Sequence, residues 1–310
     1  MSWGNGAGRM AKIPVGATIA GAYRFAFGNF LAIASIVWLP WLFITAVGLL
    51  LRPQTLAFSN ALATRDMPAI SGVLLILAPV YLLTMFLLFM QIAGIMEQAL
   101  GLRTGSPYFY FSIGKPVWRL IGAFLLMAAI LIGSYLLLLA AGILLGIVAA
   151  VLAKAMNLSG SLVAIAVGIL MIAAFCAYIY CLVRASFLLN PIVIAEKRIS
   201  LARSWALGEG NFWRIFLIVV AVIGPLMAVM GFAMIGLLFH GLPPALPLHA
   251  TADQIAANRV MVAAWNTAMM KRMMDHWYLV YPAYGIATVL FYGLGCGAQS
   301  LAYRALVPKA

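Results

Sequence analysis

Residues 120–152 read LIGAFLLMAAILIGSYLLLLAAGILLGIVAAVL, with no charged side chain and no proline in 33 positions. A helix needs about 20 mainly apolar residues to cross a bilayer, and a run this long exceeds what a buried strand or core helix requires. At about 1.5 Å per residue it would reach about 50 Å, against about 30 Å of hydrocarbon. Such a helix must tilt, break, or project as a hairpin with the next apolar run. Gly122, Gly133, Gly142 and Gly146 are its candidate bend or contact points. Gly142 and Gly146 form a GxxxG, a spacing that favours close helix contact.

Five further runs have the same character, at residues 30–51, 70–95, 162–189, 215–239 and 278–303. Together they predict an all-α, polytopic integral membrane protein with six transmembrane helices, forming one transmembrane domain over residues 1–310. The composition agrees. Apolar residues make up 66% of the chain and charged residues 8%. Soluble domains are closer to half apolar and a quarter charged. A single water-surrounded core could not hide this much apolar surface, so the bilayer must act as part of the solvent.

The net charge of +13 sits in short loops between apolar runs. Such charges read as topology signals and headgroup contacts, so no nucleic-acid partner is expected. With the amino terminus inside, Arg9, Lys12, Arg24, Arg103, Lys115, Arg119, Lys197, Arg198, Arg203, Arg214, Arg304 and Lys309 are cytoplasmic. Arg52, Arg65, Lys154, Arg259, Lys271 and Arg272 are then outside. This bias of twelve to six puts both termini in the cytoplasm by the positive-inside rule. Residues 240–277 become an outside loop. The opening MSWGNGAGRMAKIPVGATIAG lacks the pattern of a cleavable leader, so the first span is expected to be an uncleaved anchor. Cys176, Cys181 and Cys296 form no CxxC and suggest neither a disulfide framework nor zinc.

Short polar-apolar segments precede alternate spans: GATIAGAYRFAFGNF, SPYFYFSIGKPVWRL and SLARSWALGEGNFWRI. Trp118-Arg119 and Trp213-Arg214 lie 95 residues apart, and Gly28-Asn29-Phe30 recurs as Gly210-Asn211-Phe212. An interfacial helix followed by a transmembrane hairpin, used three times, fits these spacings. In the segment before the fifth span, Leu201, Trp205 and Leu207 share an apolar side while Arg203, Glu209 and Arg214 stay polar. Trp and Arg suit the headgroup layer. Arg203, Trp205, Trp213 and Arg214 are therefore the candidate docking residues for lipid or a partner. The plainer alternative is an anchor for the next span.

Residues 184–220, RASFLLNPIVIAEKRISLARSWALGEGNFWRIFLIVV, carry a further pattern. It consists of Arg184, the passage Pro191 to Glu196, Arg203-Ser204-Trp205, Leu207, Gly210 and Phe212-Trp213-Arg214. This stretch resembles the membrane domain of bacterial glycerophosphoryl diester phosphodiesterases and related multi-span proteins. The resemblance implies a six-span helical domain. It implies no catalysis, because that family's chemistry belongs to a separate soluble barrel, and no catalytic residue carries over.

The six acidic residues, Asp66, Glu97, Glu196, Glu209, Asp253 and Asp275, include no close pair of the kind used for acid-base hydrolysis. Phosphate loops, nucleophile elbows and zinc-protease helices are missing from the sequence. No enzymatic activity and no cofactor are expected. Glu97 and Arg184, near the cytoplasmic ends of the second and fourth spans, form a candidate intramembrane polar pair, with a structural ion pair as the plainer reading. Thr251 to Gln254 matches a capping box that could start a helix towards Trp277. Within it, Met269, Met270, Met273, Met274 and His276 are soft or borderline donors that suit Cu(I), although Met more often simply fills space. His240 and His249 flank a Pro-rich turn away from that cluster. Pro40, Pro79, Pro225 and Pro282 lie at or inside spans, and Gly293, Gly295 and Gly297 cluster in the last one.

The reading that follows is a non-enzymatic bacterial inner-membrane protein. Its role would be structural, lipid-interacting or that of an accessory subunit. Its partners would be membrane lipids, a membrane protein complex or further copies of itself. The alternative is a small-molecule or lipid transporter, for which the proline kinks, the repeat and the Glu97–Arg184 pair speak. A weaker alternative is an intramembrane lipid enzyme.

Overall fold

The computed structural model describes residues 12–64, 66–103, 113–156, 159–238 and 251–307. Arg9, Arg65, His240, His249, Lys309 and the Pro-rich turn lie outside them. Among the described residues there are eleven helices and no strand. They are α1 (Val15–Gly28), α2 (Phe30–Leu50), α3 (Arg52–Thr64), α4 (Met67–Ala99), α5 (Lys115–Ala155) and α6 (Gly160–Ser186). After these come α7 (Leu189–Ala195), α8 (Leu201–Leu207), α9 (Phe212–Leu238), α10 (Ala252–Asp275) and α11 (Trp277–Leu306).

Among the described residues, six stretches are long and apolar enough to cross a membrane: Phe30–Leu50, Met67–Ala99, Lys115–Ala155, Val163–Ala195, Phe212–Gly236 and Trp277–Leu306. Each expected span falls on one of them. Their surroundings argue for lipid independently of composition. The most apolar window of the third is only 6% buried against the rest of the protein, and that of the fourth 0%. Leu137 is 71% exposed and Leu144 63%. Water would penalise such faces at about 25 cal/mol per Å², whereas acyl chains do not. Of the three alternatives for the third run, tilt, break or hairpin, the break does not occur: α5 continues for 41 residues. Of its glycines, a Cβ on Gly122 would lie 3.1 Å from Ile199 and one on Gly142 3.0 Å from Met171, while Gly133 and Gly146 meet open space.

The chain clusters into two compact units. The first takes Met1–Ile19, Ile113–Ile218 and Ala298–Ala310. Its centre is α7, five of whose seven residues are buried: Leu189, Pro191, Ile192, Val193 and Ile194. It packs on α5, α6 and α8. Pro191 sits in its first turn, where the missing N–H costs little. Thus the fourth apolar run ends in a buried hook rather than a plain connector.

The second unit takes Ala20–Ser112 and Val219–Gly297. Here α11 meets α1 through small residues. A Cβ on Gly293 would fall 2.9 Å from Ile33 and 3.3 Å from Ala26. One on Gly297 would fall 2.8 Å from the Phe25 ring and 3.5 Å from the Ala22 Cα. This close approach replaces the hydrophobic drive that helices lack in lipid. Gly295, between them, meets nothing within 4 Å. Pro40, Pro79, Pro225 and Pro282 all lie inside continuous helices. Pro225 offers no N–H to Ala221, four residues earlier, and the Tyr23 hydroxyl donates to that carbonyl at 3.0 Å.

Gly297→Ala is expected to lose about 1–3 kcal/mol by overpacking against the Phe25 ring. Gly295→Ala, in open helix, should be neutral or slightly stabilising. Thermal unfolding of the two variants in one detergent checks the contrast. By the same assay Tyr23→Phe should cost about 1 kcal/mol, because it strands a carbonyl away from water.

Candidate functional site at the α8 junction

Ser200 accepts from the Arg203 N–H at 3.2 Å and so caps α8. That cap begins a seven-residue helix carrying Arg203 and Trp205. Asn211 closes the junction on the other side. Its Oδ1 accepts from the Ile13 N–H at 3.0 Å, while Arg214 donates to the Ile13 carbonyl at 3.1 Å. Both backbone groups of one residue are therefore fixed by side chains about 200 positions away. Gly28-Asn29-Phe30 and Gly210-Asn211-Phe212 hold the same local place, with Asn just before a span and Phe as its first residue.

Arg184, with 10% of its side chain exposed, is the most enclosed cation of the junction. Its Nε donates to the Trp205 carbonyl at 3.0 Å and its Nη1 to the Tyr180 hydroxyl at 3.2 Å. Its Nη2 lies 3.4 Å from the Glu209 carboxylate, and the guanidinium stacks 4.2 Å above the Trp205 ring. A buried guanidinium needs this many partners because desolvation is costly. The carboxylate beside Arg184 is thus that of Glu209, from the turn after α8. Glu97 stands near the end of α4 in the second unit. Gly208 makes room for the arrangement, since a Cβ there would come within 2.9 Å of the Arg184 Cγ.

Glu196 organises the exposed side. It accepts from Arg198 at 2.7 and 3.0 Å, from the Arg203 Nε at 3.2 Å and from the Tyr303 hydroxyl at 3.2 Å. Burial pushes its carboxyl pKa up. The hydrogen bonds from Arg198 and Arg203, the Arg203 charge and the Tyr303 hydroxyl outweigh that and leave it lowered. Lys197, between these groups, has φ 55°, the left-handed turn that lets Glu196 and Arg198 meet at two residues' separation. Arg184, Lys197, Arg198 and Arg203 against Glu196 and Glu209 leave the cluster two positive charges in excess.

The four sequence-predicted docking residues divide by role. Trp213 is 71% exposed and packs edge-on against Phe212 and Phe216. Trp205 is half-exposed, Arg203 is shared with Glu196, and Arg214 is committed to Ile13. Sequence reasoning missed the space beside them. A groove of about 690 Å³ runs between α5 and α6 and is closed at one end by α8. Met127 and Leu131 of α5, Tyr178 and Cys181 of α6, and Leu201 and Trp205 of α8 line it. Its polar groups are largely occupied, with Ser134 donating to the Ile130 carbonyl at 2.6 Å.

The Met-rich helix is α10, and it has the expected capping box between Thr251 and Gln254. Met270, Met273 and Met274 line a pocket with Met234 of α9, whereas Met269 and His276 are outside its described lining. His276 Nδ1 lies 3.0 Å from the Arg272 carbonyl. No protein family, curated protein or solved structure matches the chain.

The lowered Glu196 pKa sets a sign. A carboxyl depressed on folding stabilises the fold above its unfolded value, near the ordinary 4.5, and that contribution vanishes as pH falls through the folded value. Glu196→Gln is therefore expected to be less stable than the parent at pH 7. The gap should begin to narrow at about pH 4.5 and close as pH falls through the lower, folded value. Unfolding midpoints of both proteins between pH 7 and pH 3.5 check this.

Proposed function

We propose that this chain is a non-enzymatic, multi-pass protein of the bacterial inner membrane that holds an anionic phospholipid beside α8. Both termini are cytoplasmic in this reading, and the role is structural or that of an accessory subunit. The single observation that carries it is Trp205. The same ring forms a wall of the apolar groove and lies under Arg184, at the edge of a cluster with excess positive charge. An acyl chain fits the groove and a phosphate fits the cluster. Lys197 and Arg198 are both exposed beside it, with Arg198 already bonded to Glu196 on one side. Guanidinium matches phosphate geometry in a bidentate fork. Trp213 and its aromatic neighbours supply an interfacial anchor. The resemblance of residues 184–220 to the phosphodiesterase-associated membrane domain supports a membrane role without catalysis.

The test is lipid retention. The protein is purified in neutral detergent with equal amounts of phosphatidylglycerol and phosphatidylcholine, and bound lipid is counted by native mass spectrometry. Preferential retention of phosphatidylglycerol is expected. Replacing Arg198 and Arg203 by Gln should weaken that preference by about fivefold per cation, from about 1 kcal/mol each. Ala177→Phe, on the groove wall, should reduce retention of both lipids. Equal retention of the two lipids by the parent protein would sink the anionic-lipid reading.

A further inference from the structure

The second unit holds a pocket whose chemistry differs from that of the α8 groove. It measures about 340 Å³, at the small end of the range for ligand sites, about 300–1,000 Å³. Five helices build it: the end of α2, the start of α3, the ends of α9 and α10, and the start of α11. Met234, Met270, Met273 and Met274 share its walls with Tyr281, and Arg52 contributes the one charged group of the described lining.

Two features make Arg52 unusual. Its Nε is buried without a hydrogen-bond partner among the described residues. The described lining contains no acidic side chain that could answer it. Buried donors, and charged ones above all, ordinarily have partners. The rest of the lining is adaptable. Thioether side chains are flexible and polarisable, and they mould to irregular apolar bodies.

We infer that this pocket binds a single-chain amphiphilic anion, with its acidic head on Arg52 and its chain among the methionines. A carboxylate or a monoalkyl phosphate satisfies the same guanidinium, and the volume suits one chain rather than two. A soft metal ion fits less well. Four methionines line the pocket, but the guanidinium in the same wall repels a cation. The site is separate from the α8 groove, so it stands whether or not that groove holds phospholipid.

The experiment uses the full-length chain in a neutral maltoside detergent. Dodecanoate, dodecyl phosphate, dodecanol and silver ion are titrated separately, with thermal unfolding and native mass spectrometry as readouts. One dodecanoate or one dodecyl phosphate per chain is expected, each raising the unfolding midpoint, and whichever binds more tightly identifies the head group. Dodecanol should bind at least tenfold more weakly. Arg52→Gln should lose at least tenfold in affinity for either anion. Gly48→Leu should abolish binding, because Gly48 lines the pocket and a Cβ there meets nothing within 4 Å. Arg198→Gln, in the other unit, should leave dodecanoate binding unchanged. Dodecanol binding as tightly as dodecanoate overturns the inference, and the parent protein alone supplies that comparison even if a variant fails to fold. Stabilisation by silver and not by either anion overturns it in favour of a metal.

Discussion

A peptide group in hydrocarbon has no water to bond to, so each N–H and C=O must find its partner within the protein. Every larger feature of this chain follows from that requirement. The spans are helices because a helix pairs its own backbone. They approach closely only where side chains are small, since lipid supplies no hydrophobic drive between them. Where proline breaks the rule at position 225, a tyrosine hydroxyl from α1 supplies the missing donor to Ala221. The irregular stretch between α6 and α8 is tolerated because α7 is buried in protein rather than exposed to acyl chains.

The same logic governs charge. Arg184 is the cation most removed from solvent at the junction, and a carbonyl, a phenol, a carboxylate and an indole face all converge on it. Arg198 lies a short way off with most of its side chain exposed. The enclosed cation is held by neutral and charged partners together, while among the described residues the exposed one is held by Glu196 alone. Arg52 differs from both, being partly enclosed with a donor unanswered.

The spans were legible because a run such as residues 120–152 has only one environment in which it can persist. The capping box of α10 was legible because its two hydrogen bonds depend on residues three apart. Shorter pieces were harder to read. The helix α3, residues 52–64, carries Arg52, Gln54, Ser59 and Asn60 and has no long apolar run to announce it. The hook at α7 was hidden because its seven residues extend the preceding apolar run. At the α8 junction, Arg203, Trp205, Trp213 and Arg214 were found from composition, but their division of labour was not. Which carboxylate meets which guanidinium depends on the turn at Gly208, and which Arg is occupied depends on where Ile13 lies. The groove and the Arg52 pocket draw on three and five helices, and no local spacing records such a meeting.

The grip of Asn211 and Arg214 on Ile13 also bears on the order of assembly. These contacts join positions 198 and 201 residues apart. At typical synthesis rates of about 5–20 residues per second, the start of the chain waits about 10–40 s for residues that lie 198 positions later. By the end of that time the first four apolar runs have been made, while the backbone of Ile13 still has none of its final partners. Long-range closures of this kind slow the last step of folding. The first unit therefore cannot lock until the fifth apolar run begins to emerge, so the segment around Ile13 is made early and finished late.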